Sequence, residues 1–148
     1  MNIRIAERGD IPALVRFNQA MAHETEDLHL HSDVLTPGVT AVFDDEAKGF
    51  YAVAEDGGEI VGGLMVTREW SDWRNAWFWW IQSVYTLPAH RGKGVYSKLY
   101  QFVKDRAESD GNVCGFRLYV ERENERAQHV YEHLGMHRSH YWMYQETK

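Results

Sequence analysis

The sequence predicts an α/β fold built on a mixed β-sheet, on three observations. Apolar runs at 50–54 and 60–67 flank Asp56-Gly57-Gly58, the pattern of a tight hairpin. A long aromatic strand at 76–86 ends in a glycine-bearing turn and passes straight into a helix. A further strand after that helix completes a βαβ crossover, so antiparallel and parallel pairings share one sheet with helices on its faces.

The elements follow in order. Residues 2–6 alternate apolar and polar side chains and read as a first strand. Asp10 is expected to cap a helix whose Ile11, Leu14, Val15 and Phe17 share a face, with Pro12 in its first turn. Thr36-Pro37 reads as a second helix start and Gly49 as its stop. The hairpin strands come next, joined by a polar, aromatic connection at 70–75 to the strand at 76–86. Leu87-Pro88-Ala89-His90 breaks that strand, and Arg91-Gly92-Lys93-Gly94 opens a helix carrying Val95, Leu99, Phe102 and Val103 on one face, ended by Asp110-Gly111-Asn112. A strand at 116–120, a helix at 124–134 stopped by Gly135, and a closing strand at 136–145 complete the expected order β-α-α-β-β-β-α-β-α-β.

Composition bounds the function. A chain of 148 residues without an internal repeat or a low-complexity linker is expected to form one domain spanning 1–148. Hydrophobic content of 44% with 26% charged residues excludes a disordered or collagen-like chain. The single cysteine, Cys114, has no internal partner and fits a reducing compartment, and it reads as a buried structural thiol. Neither a leader pattern nor a membrane-length apolar run is present, so a cytoplasmic location is expected, with no membrane partner. A net charge of −6 argues against nucleic acid as a partner. That charge is uneven: residues 17–67 carry ten acidic side chains against one basic, Lys48. One region is thus suited to a cation, while the basic residues fall mainly outside it.

The segment 84–99, VYTLPAHRGKGVYSKL, carries the chemistry. A helix that starts after a glycine turn presents unpaired N–H groups and the positive end of its dipole, which suits a phosphate or diphosphate. Gly92 and Gly94 leave room for a ligand against that backbone, and Arg91 and Lys93 add positive charge. The spacing matches neither a P-loop nor a GxGxxG dinucleotide motif.

With Arg91, Gly94 and Tyr96 at the positions of an Arg/Gln-x-x-Gly-x-Gly/Ala signature, the segment resembles the GNAT superfamily of N-acetyltransferases. Tyr96 stands where the family usually has a small residue. A second signature follows as Asn124, Ala127, Tyr131, Leu134, Gly135 and Met136. The resemblance implies a GNAT-like fold with acetyl-CoA as co-substrate. It implies that the backbone of Val84, Tyr85 and Thr86 pairs with the pantetheine arm. The backbone of Arg91, Gly92, Lys93, Gly94, Val95 and Tyr96 would cradle the pyrophosphate. Asn124 would hydrogen-bond the arm, and Tyr131 would lie near the cofactor sulfur. A phenol there can hydrogen-bond or protonate a departing thiolate.

An alkylammonium acceptor must lose a proton before it attacks. Many relatives carry a glutamate where this chain has Gln82, so proton removal falls to water or to another carboxylate such as Glu24, Glu26 or Glu69. No cysteine or serine is placed as an acyl carrier, which favours direct attack within a ternary complex. Trp70 and Trp73 have three readings: core, an aromatic wall for a cationic acceptor, or a homodimer contact. The histidines between 23 and 31 fit no tight zinc pattern, so no metal is expected. The expected activity is acetyl transfer to a primary amine of a small, cationic acceptor. The alternatives are a CoA-binding regulatory module without turnover, a longer acyl donor, or a peptide amine.

Overall fold

A computed structural model describes residues 1–148, which form two compact units, Met1–Leu118 and Tyr119–Lys148. The first unit holds a five-stranded sheet in sequential order. Its strands are β1 (Asn2–Ile5), β2 (Phe50–Asp56), β3 (Glu59–Ser71), β4 (Ala76–Thr86) and β5 (Val113–Arg117). Its helices are α1 (Ile11–Glu26), α2 (Ser32–Asp44) and α3 (Val95–Asp110). The first four strands pair antiparallel and β5 runs parallel to β4, which is the mixed sheet the sequence predicts.

Strand alternation sorts the core into two layers. Tyr51 and Val53 of β2 pack with Leu14 and Val15 of α1 and Val39 of α2. Phe50, one residue away, faces the opposite side, where the Arg106 guanidinium of α3 lies 5.6 Å from its ring centroid. On that side Leu99 and Val103 of α3 are fully buried, as is Trp79 of β4, whose ring meets Phe50 edge-on.

Several boundaries differ from expectation for identifiable reasons. Asp10 makes no side-chain cap to α1. It is instead buried, accepting from both terminal nitrogens of Arg4 and from the Glu7 N–H at 2.7 Å, which ties β1 to the start of α1. Helix α2 begins at Ser32 and contains Pro37. The proline removes one bond to the carbonyl of Asp33, a residue exposed to water. Strand β3 runs on to Ser71, so Trp70 is a strand residue, cross-paired with Trp77 at a ring separation of 4.9 Å. Trp73 stands at the hairpin tip, 85% exposed. Strand β5 spans Val113–Arg117 rather than 116–120, because the Trp77 N–H already bonds the Asn112 carbonyl and fixes the register there. Cys114 is exposed rather than buried.

The second unit contains α4 (Glu125–His133). Asn124 caps it, its Oδ1 accepting from the Ala127 N–H at 3.2 Å, and the chain turns at Leu134 and Gly135. The expected closing strand does not form: residues 136–148 have no regular element, and Tyr141, Trp142 and Tyr144 are exposed. No helix of the chain is long and apolar enough to cross a membrane.

Candidate functional site

The site forms where β4 leaves its parallel neighbour. Pairing between β4 and β5 covers Trp77 to Trp80 and ends there, at Arg117. Strand β4 continues to Thr86, held on its other side by β3 through Gln82↔Met65, Tyr85↔Gly63 and Thr86↔Gly62. Residues 81–86 therefore offer backbone groups along the side that β5 has vacated. A linear amide can add to such an edge as an extra strand.

A register shift between Gly63 and Met65 marks a bulge in this stretch, and Ser83 of β4 takes the left-handed conformation at φ 52°. The extra residue reverses the alternation beyond it. Strict alternation along β4 would put Tyr85 on the face of Trp79 and Ile81. Instead the Tyr85 ring meets Phe17 of α1 at 5.2 Å, while Trp79 lies on the α3 side. Val84 and Thr86 are half-buried neighbours along the same edge.

The turn into α3 continues this edge. Pro88–His90 forms a short 3-10 turn, and Arg91 to Gly94 is exposed. Gly92 and Gly94 take positive φ angles of 77° and 76°, which admit glycine far more readily than other residues. A Cβ on either would meet nothing within 4 Å, so the surface above the turn is open to a ligand. Gly94 is the N-cap of α3 and supplies no side-chain cap, leaving the helix to present its first N–H groups. Such a cradle can receive an anionic group, and the edge before it an added strand. Val95 is buried at the first turn. The Tyr96 ring lies along α3, stacked on Tyr100 at 5.9 Å, so its bulk follows the helix. Lys93 is exposed on the turn.

Arg91 is engaged elsewhere. Its Nε donates to the Thr86 carbonyl at 3.0 Å and a terminal nitrogen to Glu24 Oε2 at 2.8 Å, with the guanidinium 5.3 Å from the Tyr85 ring centroid. The Tyr85 hydroxyl donates to the other Glu24 oxygen at 2.8 Å. Burial alone would raise the Glu24 carboxyl, but the hydrogen bonds from Tyr85 and Arg91 and the Arg91 charge outweigh it and hold the group below its usual range. Burial and the neighbouring carboxylate push the Tyr85 phenol up. Glu24 lies more than sixty positions from Arg91 in sequence, and no local pattern announces this pairing.

The other base candidates are also placed. Gln82 donates to Thr67 Oγ1 at 2.6 Å, a neutral contact that holds its amide in position. Glu69 accepts from Trp80 Nε1 at 2.7 Å and from Arg117 at 2.9 Å, which lowers its carboxyl against the opposing effect of partial burial. Glu26 is exposed at the end of α1. Part of the acidic excess of 17–67 is neutralised by cations from outside that region: Arg8 pairs with Asp44, Arg4 with Glu55, and Arg91 with Glu24.

The structure thus brings Val84, Tyr85, Thr86 and Arg91 through Tyr96 together in the first unit. Asn124 and Tyr131 belong to the second. There Asn124 is exposed at the helix start, and Tyr131 is half-buried, its phenol pushed above its ordinary value by that burial.

The model of the acetyltransferase (GNAT) family matches residues 15–136. The chain belongs to this family. It is similar over 99% of its length, at 44% identity and a TM-score of 0.92, to 97% of a possible acetyltransferase from Clostridium difficile 630. A transcriptional regulator from Bacillus halodurans C-125 matches at 26% identity and a TM-score of 0.81, over 99% of both chains. A predicted acetyltransferase from Clostridium acetobutylicum, solved with acetyl-CoA, shares the fold at 18% identity and a TM-score of 0.78, over 98% of this chain and 95% of that one. No curated protein matches in sequence. As a GNAT protein with acetyltransferase neighbours, the chain is an acetyl-CoA-dependent acyltransferase.

Proposed function

We propose that this GNAT chain acts as one N-acetyltransferase domain in the cytoplasm, moving an acetyl group to a primary amine of a small, cationic acceptor by direct attack in a ternary complex. One observation carries the reading: the edge of β4 freed beyond Trp80 leads directly into the uncapped, glycine-flanked start of α3. Acetyl-CoA supplies an activated acetyl thioester. The backbone at Val84, Tyr85 and Thr86 pairs with the pantetheine amides, and the N–H groups from Arg91 to Tyr96 receive the diphosphate. Asn124 serves the pantetheine arm in this reading. N–H groups at the bulged end of β4 are the donors for the tetrahedral oxyanion.

The amine nitrogen bonds the acetyl carbon, the carbon–sulfur bond breaks, and Tyr131 donates a hydrogen bond or proton to the departing sulfur. Burial keeps the Tyr131 phenol protonated and able to donate. The proton lost by the ammonium leaves through water or a carboxylate, since the Gln82 carboxamide, which donates to Thr67, is not a base.

Thiol release from acetyl-CoA over a panel of diamines, basic amino acids, aminated sugars and peptides tests the proposal. Release that depends on one class of cationic amine is the expected result. Tight CoA binding with no release on any amine overturns it in favour of a CoA-binding module, and preference for a longer acyl-CoA revises the donor.

A further inference from the structure

Glu24 stands in the last turn of α1, where the negative end of a helix disfavours a carboxylate. Two neighbours offset this: the Arg91 guanidinium at 2.8 Å and the Tyr85 hydroxyl at 2.8 Å. Around it the surface is acidic, with Glu26 and Asp27 exposed beside it and His23 3.7 Å from Asp27. Arg91, for its part, begins the turn that receives the diphosphate in the reading above. Its guanidinium is folded back from that turn onto the Thr86 carbonyl and Glu24. The Arg91–Glu24 pair is about two-fifths exposed on both sides, so it is a weak tether. A diphosphate is the stronger partner for a guanidinium, which it can engage through two parallel hydrogen bonds.

We infer that Arg91 and Glu24 exchange partners as the two substrates bind: the diphosphate of acetyl-CoA draws Arg91 from Glu24, and the freed carboxylate receives the ammonium of the acceptor. This rests on the proposed acetyl-CoA and amine reading and adds to it a site for the acceptor cation, coupled to the donor through Arg91. Once Arg91 leaves, Glu24, Glu26, Asp27 and the end of α1 form a negative cluster without its guanidinium. That cluster suits a short alkylammonium better than a neutral amine or a carboxylate-bearing substrate. Tyr85 remains bonded to Glu24 and keeps the carboxylate oriented beside the end of β4.

Calorimetric titration of the full chain with 1,5-diaminopentane, alone and with saturating CoA, tests the exchange without any substitution. The diamine is expected to bind at least about five-fold more tightly with CoA present, the scale of releasing an exposed ion pair. Equal affinity in the two states, including no binding in either, overturns the inference and leaves the acetyltransferase reading standing. Failure of CoA itself to bind overturns both. In Glu24→Gln, CoA is expected to bind about two- to five-fold more tightly than in the wild type, while the KM for the diamine rises at least about ten-fold. Unchanged CoA affinity in this variant also overturns the exchange.

Discussion

Gly62 of β3 lies directly beneath Val95, the first residue of α3: a Cβ on Gly62 would stand 2.8 Å from Val95 Cγ1 and 3.1 Å from the Tyr85 carbonyl oxygen. The helix that presents the candidate diphosphate cradle is therefore seated on the sheet through an absent side chain. All three contacts that an added methyl would make, Thr86 Oγ1 at 3.5 Å being the third, belong to the site: the start of α3 and the end of β4.

Gly62→Ala is expected to push α3 away from β4 and destabilise the chain by about 1–3 kcal/mol, as overpacking does. Urea denaturation measures the loss, and CoA titration is expected to weaken with it. A variant as stable as the wild type, with full CoA affinity, would show that Val95 repacks freely and does not set the cradle.

Gly94 presents the opposite case, because a methyl there meets nothing within 4 Å. Any cost of Gly94→Ala comes from its φ of 76° alone, about 1 kcal/mol. Asparagine tolerates this conformation better, so Gly94→Asn should lie closer to wild type than Gly94→Ala in thermal stability. The reverse ranking would count against a backbone origin.

Asp10 links pH to stability. Burial alone would raise its carboxyl, but the paired hydrogen bonds from Arg4, the Glu7 N–H and the Arg4 charge outweigh it and hold it below the usual carboxylate range. A depressed folded value means its stabilisation is complete above the unfolded value near 3.9 and is lost as pH falls through the folded one. Asp10→Asn should cost about 1–3 kcal/mol at neutral pH and remove this component of the acid dependence. Denaturation curves from pH 7 to 3 separate the two chains; identical slopes would exclude Asp10 as a contributor.

Tyr131→Phe should lower turnover about ten- to hundred-fold while changing CoA affinity less than two-fold, as expected for a donor that acts on the leaving sulfur. Because burial raises the phenol, the wild-type rate profile should show no loss of activity from tyrosine ionisation below pH 9. Equal kcat in the two proteins removes Tyr131 from the mechanism.

The parts of the site that were legible in the sequence are those with local chemistry. The approximate bounds of β4 and α3 follow from the aromatic run, Pro88 and the glycine-bearing turns, and the structure agrees with them, at Ala76–Thr86 and Val95–Asp110. The bulge at Ser83 carries no such mark, since serine has no special claim on a positive φ, and simple alternation therefore misses the turn of Tyr85 toward Phe17. Asp10 read as a cap because aspartate before an apolar helix usually is one; its recruitment by Arg4 depends on β1 lying beside α1. The Glu24–Arg91 pair joins segments that only the folded sheet brings together. Residues 136–145 read as a closing strand, but a strand-like composition alone supplies no partner for the backbone.

The departure of β5 from β4 at Trp80 has a consequence for the protein's behaviour in concentrated solution. A sheet margin without a neighbouring strand is adhesive, and other chains can pair with it as readily as the proposed pantetheine arm. A ligand lying there would do the work of a protective edge strand. On the reading proposed above, the vacancy that receives the donor thus sets a colloidal hazard, one that rises whenever the donor is scarce.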